Sequence, residues 1–115
     1  MAPREHLGEL EELVLLAVLR LDGQAYGASL RRELRGRTGR APSVSTIYIT
    51  LMRLEAKGLV TSRVAESSSP RGGRPRRIFA ATATGIEEMR GARAARDRLW
   101  EGLDERVVSN PRRSR

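Results

Sequence analysis

The chain contains no cysteine, which removes disulfides, thiol redox chemistry and thiolate metal sites. Its single histidine, His6, cannot build a metal centre alone, because such centres draw on several ligands. No cofactor or metal is therefore expected. Aromatic residues are scarce, with one Trp, two Tyr and one Phe in 115 residues. That is a poor supply for a module that stacks single-stranded bases on exposed rings. Lysine is nearly absent too: Lys57 is the only one, and arginine supplies every other basic side chain. Arginine forks onto phosphates and guanine edges better than an ammonium does, although GC-rich codon usage gives the same bias.

Long apolar runs are also missing, so nothing has the length of a membrane span. The apolar segment nearest the N-terminus carries Glu9, Glu11 and Glu12, which does not suit an export signal. The expectation is a cytoplasmic protein without a signal peptide. Catalytic groupings are lacking as well. There is no Ser/His/Asp set, no pair of carboxylates in a cleft-like pattern, and Gly72-Gly73 lacks the Lys-Ser/Thr of a phosphate loop. The chain is not expected to be an enzyme.

What the chain has in excess is positive charge. Twenty-two Lys+Arg face 14 Asp+Glu, a net charge of +8, gathered around residues 71–77 and at the C-terminus. This predicts a polyanionic partner, nucleic acid first, against the plainer reading of a solubilising surface.

Residues 7–21 place Leu10, Leu13, Val14, Ala17, Val18 and Leu21 at helical spacing, with Leu15, Leu16 and Leu19 widening the apolar face. Such a helix is buried on several sides, one of them against a partner chain. Residues 26–35 form a second helix with Tyr26, Leu30 and Leu34 in register, and Gly36, Gly39 and Pro42 break the chain after it. A third helix starts at Ser43 or Ser45, buries Val44, Ile47, Leu51 and Leu54, and ends at Gly58. Residues 59–64 alternate as a strand, 66–73 form a Ser/Gly/Pro loop, and 77–80 return. A last helix begins at Thr82 or Thr84 and reaches about Val108, and a basic tail follows.

Helix, turn, helix, strand and basic hairpin is the order of a winged helix-turn-helix. The fold class is mainly α with a small β-hairpin: a DNA-binding domain over 1–83, a dimerisation helix over 84–108 and a basic, disordered tail over 109–115. The chain resembles the PadR family of bacterial transcriptional regulators over residues 7–90. The matching residues are Leu7-Gly8-Glu9-Leu10, Val14-Leu15-Leu16, Ala25-Tyr26-Gly27, Ser43, Thr46, Tyr48, Thr50-Leu51, Arg53-Leu54-Glu55 and Lys57-Gly58-Leu59-Val60, then Gly72-Gly73-Arg74-Pro75-Arg76-Arg77, Thr82 and Gly85. Ile49 stands where the family usually has proline, and the return strand keeps only Ile78-Phe79 of the family's aromatic residues. The resemblance implies a homodimeric repressor, paired through its last and first helices, with a small, often aromatic effector.

In a helix-turn-helix the second helix of the motif enters the major groove. Ser43, Ser45, Thr46, Tyr48 and Thr50 are expected to meet DNA there, with capping as the other role of Ser43 and Ser45. Arg53 and Lys57 reach backbone phosphates or form a solvated face with Glu55. Arg71, Arg74, Arg76 and Arg77 form the basic wing, and Gly-Arg-Pro among arginines suits a narrow minor groove. In the last helix Ile86, Met89, Ala92, Leu99, Trp100, Leu103 and Val107 share one face that calls for a second copy, together with Leu10 and Leu13. Arg96 interrupts that face, either snorkelling or pairing with the partner's Glu88 or the partner's Asp104. Trp100, with Met89 and Arg96, is either ordinary dimer packing or one wall of a site for a flat ligand. A nonspecific nucleic-acid-binding module and a dimeric protein adaptor are the rival functions.

Overall fold

The computed structural model describes residues 7–66 and 75–103. Among these the chain forms α1 (Glu9–Leu21), α2 (Gly27–Thr38), α3 (Val44–Ala56), β1 (Val60–Ala65), β2 (Arg76–Ala81) and α4 (Ala83–Trp100). Four helices and an antiparallel hairpin make the mainly α fold with a small β element that the pattern predicts.

Each boundary has a local chemical cause. At the start of α1 the Gly8 N–H donates to Glu11 Oε1 at 2.7 Å. Glu9, Glu11 and Glu12 then face the positive end of the helix dipole. α2 opens with the Tyr26 N–H donating to Ser29 Oγ at 2.9 Å, and it closes on Gly39 in the left-handed region. It therefore runs three residues past the predicted end at Arg35, because the internal Gly36 is tolerated and Gly39 supplies the stop. Of the two candidate caps for α3, Ser43 is the one used, its Oγ accepting the Thr46 N–H at 3.1 Å. The exit from α3 is a Schellman turn, in which the Gly58 N–H donates to the Glu55 carbonyl and the Leu59 N–H to the Leu54 carbonyl, both at 2.9 Å.

The core is built from Val14, Leu15, Ala17 and Val18 of α1, Leu30 and Leu34 of α2, and Ile47, Leu51 and Leu54 of α3. Ala25 before α2, Leu59, Val60 and Phe79 of the hairpin region and Met89 of α4 complete it. Val44 departs from the predicted stripe: it is largely exposed and rests over Gly27, where a Cβ would crowd its methyl. The hairpin register runs from Val60 opposite Ala81 to Ala65 opposite Arg76. It is fastened to the helices where the Phe79 N–H donates to the Ala25 carbonyl at 2.8 Å.

α4 starts at Thr82, whose Oγ1 accepts the Gly85 N–H and donates to the Gly58 carbonyl. It ends at Trp100, not near Val108: Gly102 turns into the left-handed region and the Leu103 N–H donates back to the Trp100 carbonyl. Val107 lies outside the described residues.

Candidate nucleic-acid interface

α2 and α3 pack against α1 and against each other, leaving one side of α3 uncovered. Ile47, Thr50, Leu51 and Leu54 point inward. At about 100° per residue the opposite stripe is Ser45, Ile49, Met52 and Ala56. All four are exposed, with Ile49 at 54 % and Met52 at 63 %. Thr46 and Arg53 flank this stripe on one side, and Tyr48 and Glu55 on the other.

The predicted contact residues divide accordingly. Ser45, Thr46 and Arg53 are exposed on or beside the outward stripe. Ser43 caps the helix, and its Oγ also donates to Thr46 Oγ1 at 2.9 Å. Tyr48 is half-buried, its ring edge-on to Phe79 with centroids 5.9 Å apart. Thr50 does not belong to the surface: it is 5 % exposed and its hydroxyl donates to the Thr46 carbonyl at 2.9 Å. A buried β-branched residue that hydrogen-bonds its own helix has no reach into a groove.

Lys57 is also engaged within the chain. Its Nζ donates to both carboxylate oxygens of Glu11, at 2.9 and 3.0 Å, and both side chains are largely buried. It fastens the end of α3 to the start of α1. Burial alone would push the Glu11 carboxyl up. The Gly8 N–H, the Lys57 hydrogen bond and the charges of Lys57 and Arg53 outweigh it, so the group sits below the ordinary carboxylate range. A carboxyl depressed in the folded state adds stability above its unfolded pKa, about 4.3, and loses that stability as pH falls through the folded value. Acid titration followed by circular dichroism is expected to show this loss in the parent and a shallower one in Glu11→Gln, which lacks the titrating group.

On the wing, Arg71 and Arg74 lie outside the described residues. The neighbouring arginines take separate positions. The Arg76 guanidinium stacks over the Tyr26 ring, 4.3 Å from its centroid. The same Tyr26 hydroxyl accepts from Arg32 at 3.3 Å. The Arg32 hydrogen bond and the charges of Arg76 and Arg32 together lower the phenol's pKa despite the opposing effect of burial. Arg77 donates to Ser62 Oγ at 3.0 Å, and Ser62 donates to Glu55 at 2.8 Å, which joins the hairpin to the flank of α3. Arg76 and Arg77 both remain exposed beside α2 and α3.

A second feature lies on α1 and α4. A groove of about 600 Å³ is lined by Leu13, Leu16, Leu19, Ile86, Met89 and Trp100, with charged residues at its rim. Leu16 and Leu19, rather than Leu10, accompany Leu13 there; Leu10 lines the opposite cavity beside Thr46 and Ile49. Ala92 is half-buried, Leu103 is exposed, and Leu99 and Trp100 are 76 % and 57 % exposed. Arg96 pairs within its own chain, donating to Glu12 at 2.6 Å, instead of waiting for a carboxylate on a partner helix. Glu12 precedes Arg96 by 84 positions in sequence, and nothing in helical periodicity brings the two together.

The arrangement is a winged helix-turn-helix followed by a helix with an exposed apolar face. Residues 15–91 match the transcriptional regulator PadR-like family, and the chain belongs to it. The chain is 40 % identical over 80 residues to transcriptional regulator Rv3488 of Mycobacterium tuberculosis, covering 68 % of each protein. Its fold matches a PadR family transcriptional regulator from Eggerthella lenta with a TM-score of 0.67 and 28 % identity, over 89 % of this chain and 88 % of the other. It also matches Bacillus subtilis PadR, solved in complex with operator DNA, with a TM-score of 0.63 and 19 % identity, over 76 % of this chain and 48 % of the other. The outward Ile49 and Met52 and the Tyr26–Arg76 stack are not evident from the sequence. The first can be found by projecting α3 away from its buried stripe; the second depends on the hairpin register.

Proposed function

We propose that this chain is a homodimeric, sequence-specific repressor that binds double-stranded DNA. The observation that carries the reading is α3. It presents a continuous uncovered stripe, its first turn is capped by Ser43, and the arginines of β2 stand beside it. A helix presented this way lies in the major groove with its N-terminal turn nearest the bases. Ser45 and Thr46 occupy that turn, Arg53 reaches a flanking phosphate, and Tyr48 holds α3 against the sheet and reaches the backbone from its exposed edge. Arg76 and Arg77, with Arg71 and Arg74 of the wing, supply the phosphate and minor-groove charge. Bacillus subtilis PadR, which shares the fold, is known in complex with operator DNA, and this supports DNA as the partner.

The second copy is called for by Leu99, Trp100 and Leu103, which are apolar and open to solvent in the single chain. Closing them against a partner gives a two-fold dimer with α3 helices about 34 Å apart, one turn of DNA. The α1–α4 groove, closed by the same pairing, is the place for a small aromatic effector, with Trp100 and Met89 as walls.

The expected test result is a salt dependence. Binding of duplex DNA by the parent falls steeply with salt. Arg76→Ala flattens the log–log slope by about 0.9 for each phosphate it no longer neutralises, or about 2 for a dimer. Fluorescence anisotropy at graded salt reads this directly. An unchanged slope in both Arg76→Ala and Arg77→Ala would remove β2 from the interface.

A further inference from the structure

We infer that Ile49 and Met52 read thymine 5-methyl groups in the major groove, so that the operator is recognised in part by apolar contact. This rests on the proposed DNA-binding role of α3 and adds its reading chemistry. The outward stripe of α3 is Ser45, Ile49, Met52 and Ala56, of which Ser45 alone carries a polar group. Ile49 and Met52 are more exposed than most apolar side chains among the described residues and belong to no part of the core, although Ile49 also borders the cavity that Leu10 lines. The hydroxyl and charged residues of α3 lie elsewhere: Thr50 is buried on the Thr46 carbonyl, Lys57 is held by Glu11, and Arg53 and Glu55 occupy the flanks. The side chains central to the groove face are therefore an isoleucine and a methionine.

Among the major-groove edges of the four base pairs, the thymine 5-methyl is the apolar group, and apolar side chains select for it. Ile49 is branched at Cβ and holds one χ1 in a helix, which fixes its methyls for a positional contact. Met52, one turn on, is unbranched and adapts to a neighbouring base. Apart from the Ser45 hydroxyl this stripe carries no donor to guanine or adenine, so hydrogen-bond readout falls to Ser45 and the flanking Thr46 and Arg53.

The experiment uses the full chain and a duplex enriched from a random pool. Each thymine is replaced in turn by deoxyuridine, which removes the methyl and leaves base pairing intact. The parent is expected to lose affinity about fourfold for each contacted methyl, and on the order of tenfold when both half-sites are changed. For Ile49→Ala/Met52→Ala, affinity for the thymine duplex drops by a similar factor and the thymine-to-uracil ratio falls to near one. Both side chains are on the surface, so the variant is expected to melt like the parent. Ile49→Val, which keeps a branched side chain, retains most of the discrimination. Equal binding of thymine and uracil duplexes by the parent would overturn the inference while leaving the DNA-binding reading intact. So would a discrimination that survives the double substitution. Failure of the parent to enrich any duplex would overturn the DNA-binding reading and this inference with it.

Discussion

Ser45→Glu is expected to abolish operator binding while leaving the fold as stable as the parent, or slightly more so. Ser45 is the second residue of α3, exposed, and engaged in no capping bond, since Ser43 is the cap. A carboxylate in the first turn of a helix interacts favourably with the dipole, by about 0.3–1 kcal/mol. The melting temperature therefore stays level or rises by a few degrees. The same carboxylate lies where α3 is proposed to meet the polyanion. Juxtaposed like charges cost several kcal/mol, so affinity falls by about a hundredfold or more. Stability and binding move apart, which no general loosening of the structure produces. Calorimetric melting and anisotropy titration on one preparation read both. Retained affinity would place the first turn of α3 away from DNA.

Gly85→Ala is expected to be the most damaging glycine-to-alanine change among the described residues. Gly85 is buried in the first turn of α4, and a Cβ there would overlap the Leu59 carbonyl oxygen. That oxygen is held in place, because it accepts the Thr82 N–H at 3.0 Å, and the next residue, Val60, begins β1. The obstacle is backbone, so relief requires α4 to lift away from the exit of α3. Overpacking of this kind costs about 1–3 kcal/mol, which lowers the melting temperature of a domain this size by roughly 5–20 °C. Gly91→Ala in the same helix meets nothing within 4 Å and is expected to stabilise by about 0.5–1 kcal/mol. A pair of opposite shifts in one helix identifies the Leu59 contact as the cause; equal shifts would refute it.

The elements of the fold are legible in the sequence wherever a local rule acts alone. Ser43, Gly58 and Thr82 mark helix ends through capping bonds between residues at most five positions apart, and the buried triplet Ile47, Leu51 and Leu54 follows from helical period. Sequence and structure part where a distant partner decides. Thr50 and Lys57 read as polar residues on a groove-facing helix, but one is turned under the helix and the other is drawn to Glu11, 46 positions away. Arg96 reads as a charge awaiting a partner chain, and Glu12 captures it. Leu10 shares a helical period with Leu13, yet they line opposite cavities. α4 stops at Trp100, where Gly102 takes the left-handed conformation that its sequence position alone does not announce, and the predicted stretch from 104 to Val108 lies outside the described residues. Positions on the surface of α3 require the direction of the core to be known first. Ile49 stands out in the sequence as the residue in the place of a proline, and its outward projection follows once the Ile47, Leu51 and Leu54 stripe is taken as the core side.

Two copies of α3 are proposed to read DNA together. The most direct test is selection of duplexes from a random pool by the purified full chain at near-physiological salt. Enrichment of an inverted repeat is expected, with half-site centres about one helical turn apart, or about 10 base pairs. Binding at low salt with no enriched sequence, or enrichment of an isolated half-site alone, would contradict it.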